Sequence, residues 1–286
     1  AGTYLLTDLW PGTYNPYPGS GDVPGSSNPA NFTALGGGRV LFTAADPGRG
    51  TELWITDGTA DGTRIVADLW TGTTIPYQGA NPTPASSSPG NIRALGDGRA
   101  VFAADDGVNG RELWVSDGTE AGTRRIKDVV PGAAGSWPVA FGALGDRVVT
   151  FLEDDVHGTE PWISDGTEAG TTLIADLTPS VGRTWPEAHV TLAGLFLFTS
   201  WRGTSLELWA TDGTATGTRR IATLSFDPGD AAAAGFVVMG GRACFLVGDD
   251  LWRTDGTPEG TWRILQDAVA ERSLSVIDDR LLFASP

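Results

Sequence analysis

The stretch "ELWVSDGTEAGTRRIKDV", residues 112–129, decides the fold because the chain repeats it. Related stretches begin at Glu52, Glu160, Glu207 and Asp250. The tryptophans of the five copies are separated by 60, 48, 47 and 43 residues. Repeats of roughly 40 to 50 residues are typical of β-propeller blades.

Each repeat divides into four short runs of apolar and polar residues in alternation. In residues 91–129 the runs are "NIRAL", "RAVFAA", "RELWVS" and "TRRIKDV", with turn residues between them. Alternation with a period of two predicts antiparallel strands, here named a, b, c and d, and no helical period competes with it. Four such strands form one propeller blade.

The number of strand copies predicts the ring. Strands b and d each occur six times, whereas strand c occurs five times. We therefore expect an all-β fold, a single six-bladed β-propeller domain over residues 1–286, in which the N-terminal strand "TYLLTDL" closes the last blade. That blade lacks strand c, and three alternatives follow. Either strand d shifts inward, or another segment fills the gap, or the chain is a fragment of a longer one. Five blades with odd ends is the alternative.

Composition excludes several partners. The net charge is −16, and Lys127 is the only lysine. An acidic surface repels phosphate, so we expect no nucleic acid partner. No apolar run reaches the roughly 18 to 20 residues that a membrane span needs, so no span is predicted. The lone Cys244 rules out an intramolecular disulfide and is expected in the core.

The Asp-Gly-Thr turn between strands c and d has a structural interpretation. Asp accepts hydrogen bonds from backbone N–H groups, and Gly takes the positive φ that the turn requires. The Trp three residues earlier, as in Trp114 and Asp117, is expected to pack between blades. A catalytic site occurs once, whereas this turn occurs five times. The alternative is a set of five equivalent ligand sites.

The repeat resembles the bacterial family named for its motif ELWxxDGTxxGT. The motif stands at Glu52, Glu112 and Glu207, and with one change at Glu160 and Asp250. The resemblance covers essentially the whole chain, and it implies a β-propeller that is secreted or in the cell envelope, without a common enzymatic role. The turn is also loosely similar to the Asp-box of sialidase-type propellers, although here Asp and Gly are adjacent and Trp precedes them.

The loops that join b to c and d to a share one face of the predicted ring. These loops vary, and variable loops on a fixed scaffold commonly carry function. Two d–a loops are long: the first insert is residues 10–30, and the second insert is residues 70–90. Aromatic rings suit stacking on sugar faces, and the predicted ligand-binding residues are Tyr14, Tyr17, Tyr77, Trp137, Trp185 and Trp201. The alternative is that these rings pack the loops onto their own blades.

The b–c loops are acidic. The carboxylates that we consider as metal ligands are Asp105, Asp106, Asp154 and Asp155. Oxygen ligands suit a divalent cation such as calcium. Their spacing matches no known calcium loop, and the alternative is that they are solvated turn carboxylates.

Both histidines map to the same variable face. His157 lies in a b–c loop, whereas His189 lies near Glu187 at the start of an inner strand. Together they are candidates for acid–base catalysis or metal binding at a channel mouth. The sequence has no phosphate-binding glycine loop, nucleophile elbow, paired-Cys zinc pattern or HExxH motif, which argues against several enzyme classes.

Three functional hypotheses follow. The favoured one is recognition of an extracellular glycan or other polymer by the aromatic loops. The second is an enzyme of hydrolase or lyase type, metal-assisted or not, with its site near His157 and His189. The third is a scaffold whose incomplete blade accepts a strand from a partner protein.

Overall fold

The computed structural model describes residues 4–15, 21–75, 82–179, 182–225, 233–266, 274–278 and 280–283. These residues form strands, turns and loops and contain no helix. The chain divides into two compact units, each described by itself below. Unit 1 comprises Ala1–Val139 and Asp165–Thr171, and unit 2 comprises Ala140–Ser164 and Thr172–Pro286.

The first half of the chain contains two short ribbons and two four-stranded antiparallel sheets, blades 1 and 2. The first ribbon is β1 Thr13–Tyr14 with β2 Val23–Pro24, and blade 1 is β3 Ala30–Gly36, β4 Arg39–Asp46, β5 Gly50–Thr56 and β6 Arg64–Ala67. The second ribbon is β7 Thr73–Thr74 with β8 Thr83–Pro84, and blade 2 is β9 Gly90–Ala94, β10 Ala100–Asp105, β11 Arg111–Ser116 and β12 Arg124–Lys127.

The second half contains three more four-stranded sheets, blades 3 to 5, and a final ribbon. Blade 3 is β13 Val139–Leu144, β14 Arg147–Asp154, β15 Gly158–Ser164 and β16 Thr172–Leu173. Blade 4 is β17 Pro186–Leu192, β18 Leu195–Arg202, β19 Ser205–Thr211 and β20 Arg219–Leu224. Blade 5 is β21 Ala233–Met239, β22 Arg242–Val247, β23 Asp250–Thr254 and β24 Trp262–Leu265, and the ribbon is β25 Ser275–Ile277 with β26 Arg280–Leu282.

Two copies of the repeated Trp, Trp114 and Trp252, pack between neighbouring blades, as predicted. Phe102 and Trp114 face each other across β10 and β11. Both pack against Leu41, Leu53 and Ile55 of blade 1. In unit 2 the repeated Trp of blade 5 packs in the same way against apolar side chains of blade 4. Burial of each large apolar side chain contributes roughly 1.5 to 3 kcal/mol, so this interleaving stabilises both units.

The predicted fold class, an all-β β-propeller, is confirmed at the level of its blades. Five sheets have the expected order a-b-c-d, and strand b recurs a sixth time as β26. Cys244 is buried, as expected. The number of blades, the closure by the N-terminal strand and the single domain over residues 1–286 stay predictions.

One predicted strand is absent. The sequence predicts the first copy of strand d at residues 3–9, but residues 4–9, the part that the structure describes, form no strand. Tyr4 and Leu5 are 76% and 80% exposed. In the other copies strand d pairs with strand c, as β6 pairs with β5. The described residues provide no such partner for residues 4–9, so the backbone there lacks the hydrogen bonds that define a strand.

Candidate functional site

The Asp-Gly-Thr turn is a closed network of hydrogen bonds. In the second copy Asp117 Oδ1 accepts the N–H of Thr119 at 2.9 Å and its hydroxyl at 2.6 Å. The same hydroxyl oxygen accepts the N–H of Gly122 at 3.0 Å, and Thr123 donates to the Thr119 carbonyl at 2.6 Å. The Thr119 hydroxyl lowers the pKa of Asp117. Equivalent bonds from Thr to Asp recur at Asp57, Asp165, Asp212 and Asp255.

Both glycines of the motif are required by space, and Gly118 is also required by conformation. Gly118 has φ +85, and a Cβ there would lie 2.4 Å from Cδ1 of Ile55 in blade 1. A Cβ on Gly122 would lie 2.1 Å from Oδ1 of Asp117. Real Cβ contacts are not this short, so larger residues would break the turn or the contact between blades.

Arginines of one blade donate to the turn of the next. Arg39 reaches the carbonyl of Asp117 at 3.0 Å, and Arg64 reaches that of Gly118 at 3.2 Å. The pattern recurs in the next repeat, where Arg99 and Arg124 donate to the carbonyls of residues 165 and 166 at 3.0 and 3.3 Å. In unit 2, Arg219 donates to the carbonyl of residue 256 at 3.2 Å. The polar groups of the turns are engaged within the protein, which supports their structural interpretation.

The motif's glutamate is buried, which the sequence does not reveal. Glu112 is fully buried, and its carboxyl group accepts the N–H and hydroxyl of Ser136 at 2.9 and 2.5 Å. Glu52 accepts the same two groups from Ser87, with the N–H at 2.8 Å. Desolvation by burial raises the pKa of both glutamates to about 7, although the hydrogen bonds oppose it. Each glutamate thereby fastens the following d–a loop to its own blade.

The later repeats vary this arrangement. Glu160 is buried and binds the N–H of Thr178 at 2.8 Å and the hydroxyl of Thr184 at 3.0 Å. In blade 4 Glu207 pairs instead with Arg220 of strand d at 2.7 Å. In blade 5 the shorter Asp250 pairs with an arginine of β24 at 2.8 Å. The acidic position is thus a structural anchor in every described copy.

The acidic b–c loops use their carboxylates to hold their own turns. Asp106 accepts the N–H groups of Val108 and Asn109 at 2.9 and 2.7 Å. Asp105 accepts a backbone N–H at 2.8 Å, and so does Asp154. Asp155 is exposed in the same turn as Asp154. Among the described residues, no three His, Cys, Asp or Glu side chains lie close enough to hold a metal ion.

The structure places the two histidines in different environments. His157 Nδ1 lies 2.9 Å from Asp154 in a b–c turn, and the hydrogen bond to this carboxylate raises the pKa of His157. His189 is exposed on β17, where its ring lies 5.4 Å from that of Phe196. Glu187 is exposed two residues earlier on the same strand. The catalytic role expected of these residues stays a prediction.

The predicted aromatic residues that the structure describes divide into two groups. Tyr14 lies on β1 and is 42% exposed, while Trp137 and Trp185 are 54% and 46% exposed. In contrast, Trp201 packs against the core shared by blades 4 and 5, as the alternative interpretation expects. Tyr17 and Tyr77 lie outside the described residues.

The two inserts and a b–c loop enclose a cleft in unit 1 with a volume of about 410 Å³. Its walls come from residues 10–15 of the first insert, residues 45–51 of blade 1 and residues 82–86 of the second insert. Trp10 and Tyr14 form one side, with ring centroids 5.1 Å apart and planes tilted by 44°. Small-molecule sites measure roughly 300 to 1,000 Å³, so the cleft has the size of a ligand site.

The cleft is built on fixed backbone. Trp10 packs so closely on Gly25 that a Cβ there would lie 2.0 Å from its ring. The N–H of Gly25 donates to the carbonyl of Gly12 at 2.9 Å, which closes the first ribbon. On the opposite side the hydroxyl of Ser86 accepts the N–H of Thr51 at 2.9 Å. Since Glu52 fastens the next residue, Ser87, both walls are held by specific contacts.

Comparisons with known proteins identify no family. No family model matches the chain, and no curated protein matches it. A GH74 xyloglucanase from Xanthomonas campestris is similar in structure at 14% identity and a TM-score of 0.48, covering 86% of this chain and 36% of that chain. A puromycin hydrolase is similar at 16% identity and a TM-score of 0.46, covering 91% of this chain and 50% of that chain.

A chain of a nidogen/laminin complex is similar at 10% identity and a TM-score of 0.43, covering 87% of this chain and 82% of that chain. The present chain thus spans half or less of the xyloglucanase and the puromycin hydrolase. At these identities and TM-scores the likenesses carry no argument about what this protein binds or does.

Proposed function

We propose that this protein binds an extracellular glycan in the cleft between the first and second inserts. The observation that carries the proposal is the pair formed by Trp10 and Tyr14 on one wall of the cleft. A sugar ring presents apolar C–H groups on its faces and hydroxyls at its edges. An aromatic wall matches the faces, because stacking on a rigid ring removes apolar surface from water at little loss of side-chain freedom.

Polar residues of the cleft lining supply partners for sugar hydroxyls. Asn15, Thr51, Thr83 and Ser86 contribute polar groups to the lining. Side-chain amides and hydroxyls both donate and accept hydrogen bonds, as sugar hydroxyls do. The net charge of −16 favours a neutral ligand over an anionic one. The lining therefore supports a neutral glycan better than a phosphorylated ligand.

The test is a glycan array probed with the full chain, followed by calorimetric titration of the best glycan. Tyr14→Ala removes part of the aromatic wall, and we expect affinity to fall about tenfold, since an aromatic contact contributes up to roughly 1.5 kcal/mol beyond the area it buries and tenfold is about 1.4 kcal/mol. Tyr4→Ala is the matched control, because Tyr4 is 76% exposed and is not part of the cleft wall. An array without binding, or equal affinities of the two variants, would contradict the proposal. Binding to a protein partner instead would support the scaffold hypothesis.

We also propose that the chain is a member of the ELWxxDGT repeat family and acts outside the cytoplasm. The motif's five copies support the first statement, and the proposed glycan ligand would account for the second. No helix among the described residues is long and apolar enough to cross a bilayer. A periplasmic or extracellular location is checked by fractionation of the source cells, and recovery in the cytosol would contradict it.

A further inference from the structure

Trp137 has a backbone conformation that a bulky side chain rarely adopts. Its φ is +48, in the left-handed region, and its side chain is 54% exposed. For large residues this region is a genuine outlier that reflects a turn or strain. Strained residues that persist are found disproportionately at ligand-binding and active sites.

The surrounding contacts fix the exposed ring. Its Nε1–H donates to the carbonyl of Ala134 at 2.8 Å, and its backbone N–H donates to the carbonyl of Arg111 at 3.0 Å. The preceding residue, Ser136, is fastened by the buried Glu112, and the next residue is Pro138, whose φ is restricted. The ring is thus presented to solvent in one orientation.

Folding does not require Trp at this position. Two other d–a loops of unit 1 have the same conformation before a proline, at Asn28 with φ 43 and Ser88 with φ 45. Both are exposed small polar residues, and Asn in particular tolerates this region. The chain therefore forms the same turn with residues that suit it better, so the turn alone does not explain the exposed aromatic ring.

The ring lies one repeat beyond the cleft within unit 1. Ser86 lines the cleft. Asn91, five residues later, donates from Nδ2 to the carbonyl of Pro138 at 3.3 Å, directly after the exposed Trp137. Five extended residues span at most roughly 18 Å, so a single ligand chain can reach both places.

We propose that Trp137 is a second glycan subsite, so that the protein binds a glycan chain of several sugar units and not only its end. This inference rests on the proposed function of the cleft. A sugar unit stacked on Trp137 adds contact area for long glycans. Short glycans that fill the cleft do not extend to this ring.

The test uses an array on which β-linked glucans, xylans, mannans and galactans are printed in pairs, as disaccharide and hexasaccharide. We expect the wild-type chain to bind the hexasaccharide of one pair more tightly than the disaccharide. Trp137→Asn should lower the affinity for the hexasaccharide about tenfold and leave the affinity for the disaccharide unchanged.

Asn is chosen because Asn28 already occupies the equivalent conformation. Trp137→Ser, chosen because Ser88 has the same conformation, is the second variant, and circular dichroism verifies that both variants fold. Trp262→Asn is the matched control, since Trp262 is 43% exposed on β24, outside the inserts.

The outcomes separate the two proposals. If Tyr14→Ala weakens binding of both glycan lengths, and Trp137→Asn removes only the preference for the longer glycan, both proposals are supported. If folded Trp137→Asn and Trp137→Ser keep the wild-type length preference, the second subsite is refuted while the cleft stands. If the wild type binds no printed glycan, or if Tyr14→Ala binds as well as the wild type, the proposed function fails and the second subsite fails with it.

Discussion

Glu112 provides the sharpest test of how the repeats are held together. Its carboxyl group is fully buried and fastens Ser136, the first residue of the loop segment that carries Trp137. Replacement by Gln keeps the shape of the side chain and removes its ability to ionise. We expect Glu112→Gln to stabilise the folded protein at alkaline pH and to reduce the pH dependence of its stability.

The magnitude follows from the pKa. Burial raises the pKa of Glu112 from 4.5 to about 7, so its ionisation in the folded protein costs about 3 kcal/mol. Because the folded pKa is raised, this cost is absent below about pH 4.5 and grows until the pH exceeds about 7. Between pH 5 and pH 8 the loss of stability is roughly 2 to 3 kcal/mol. Glu52, whose pKa is also raised to about 7, adds a loss of similar size.

The assay is urea unfolding followed by tryptophan fluorescence at pH 5 and pH 8. The wild type should be less stable at pH 8, and Glu112→Gln should reduce that difference by roughly 2 to 3 kcal/mol. Glu207→Gln is the matched control at the same repeat position, because Glu207 has Arg220 as an ionic partner at 2.7 Å. We expect this control to lose stability at both pH values. An unchanged pH difference in Glu112→Gln would refute the reasoning.

Three further predictions concern the turn, the core and the histidines. Gly122→Ala should lower the free energy of unfolding, measured by urea titration, by roughly 2 to 4 kcal/mol, because its Cβ would lie 2.1 Å from the turn carboxylate. Gly21 has open space around it, so the control Gly21→Ala should change this free energy by less than about 0.5 kcal/mol. Trp114→Ala should cost roughly 3 to 5 kcal/mol by the same measurement, because the ring is buried between blades. His157→Ala and His189→Ala should leave the affinity for the glycan, measured by calorimetry, unchanged. Loss of glycan hydrolysis in either variant would support the enzyme hypothesis instead.

The blades were predictable because their information is local. Alternation in "RAVFAA" and "RELWVS" predicts two strands, and the structure has β10 Ala100–Asp105 and β11 Arg111–Ser116. Strand d was predicted too long, since β12 contains only Arg124–Lys127. The register shifts between Leu113 and Trp114 where β11 meets β12, and an alternating pattern does not reveal such a bulge.

The buried glutamates could not be recognised from the motif alone. Glu52 binds Ser87, which is 35 residues away across a loop of variable length. A signal was nevertheless present, because a Ser or Thr stands two residues before a proline in "SSP", "SWP" and "TWP". The arginine contacts left no signal of this kind, since their acceptors are backbone carbonyls, which every sequence has.

The candidate site was predicted in outline. The two long inserts indicated where variable loops gather, and their residues do line a common cleft. The sequence did not separate rings that line a surface from rings that pack. Trp70 packs on Gly107, where a Cβ would lie 2.3 Å from its indole nitrogen, while Tyr14 faces the cleft. That distinction depends on the path of each loop, which is set by contacts distant in sequence.

The contacts between arginines and turns have a consequence for how such a chain changes during evolution. The second repeat carries both the arginines that reach forward, Arg99 and Arg124, and the turn at Asp117 that receives such a contact from the first repeat. A tandem duplication of one repeat would therefore add a blade whose joints are already complete. Spacings of 60, 48, 47 and 43 residues fit this view, because the long spacing comes from an insert that lies outside the joint and is free to diverge.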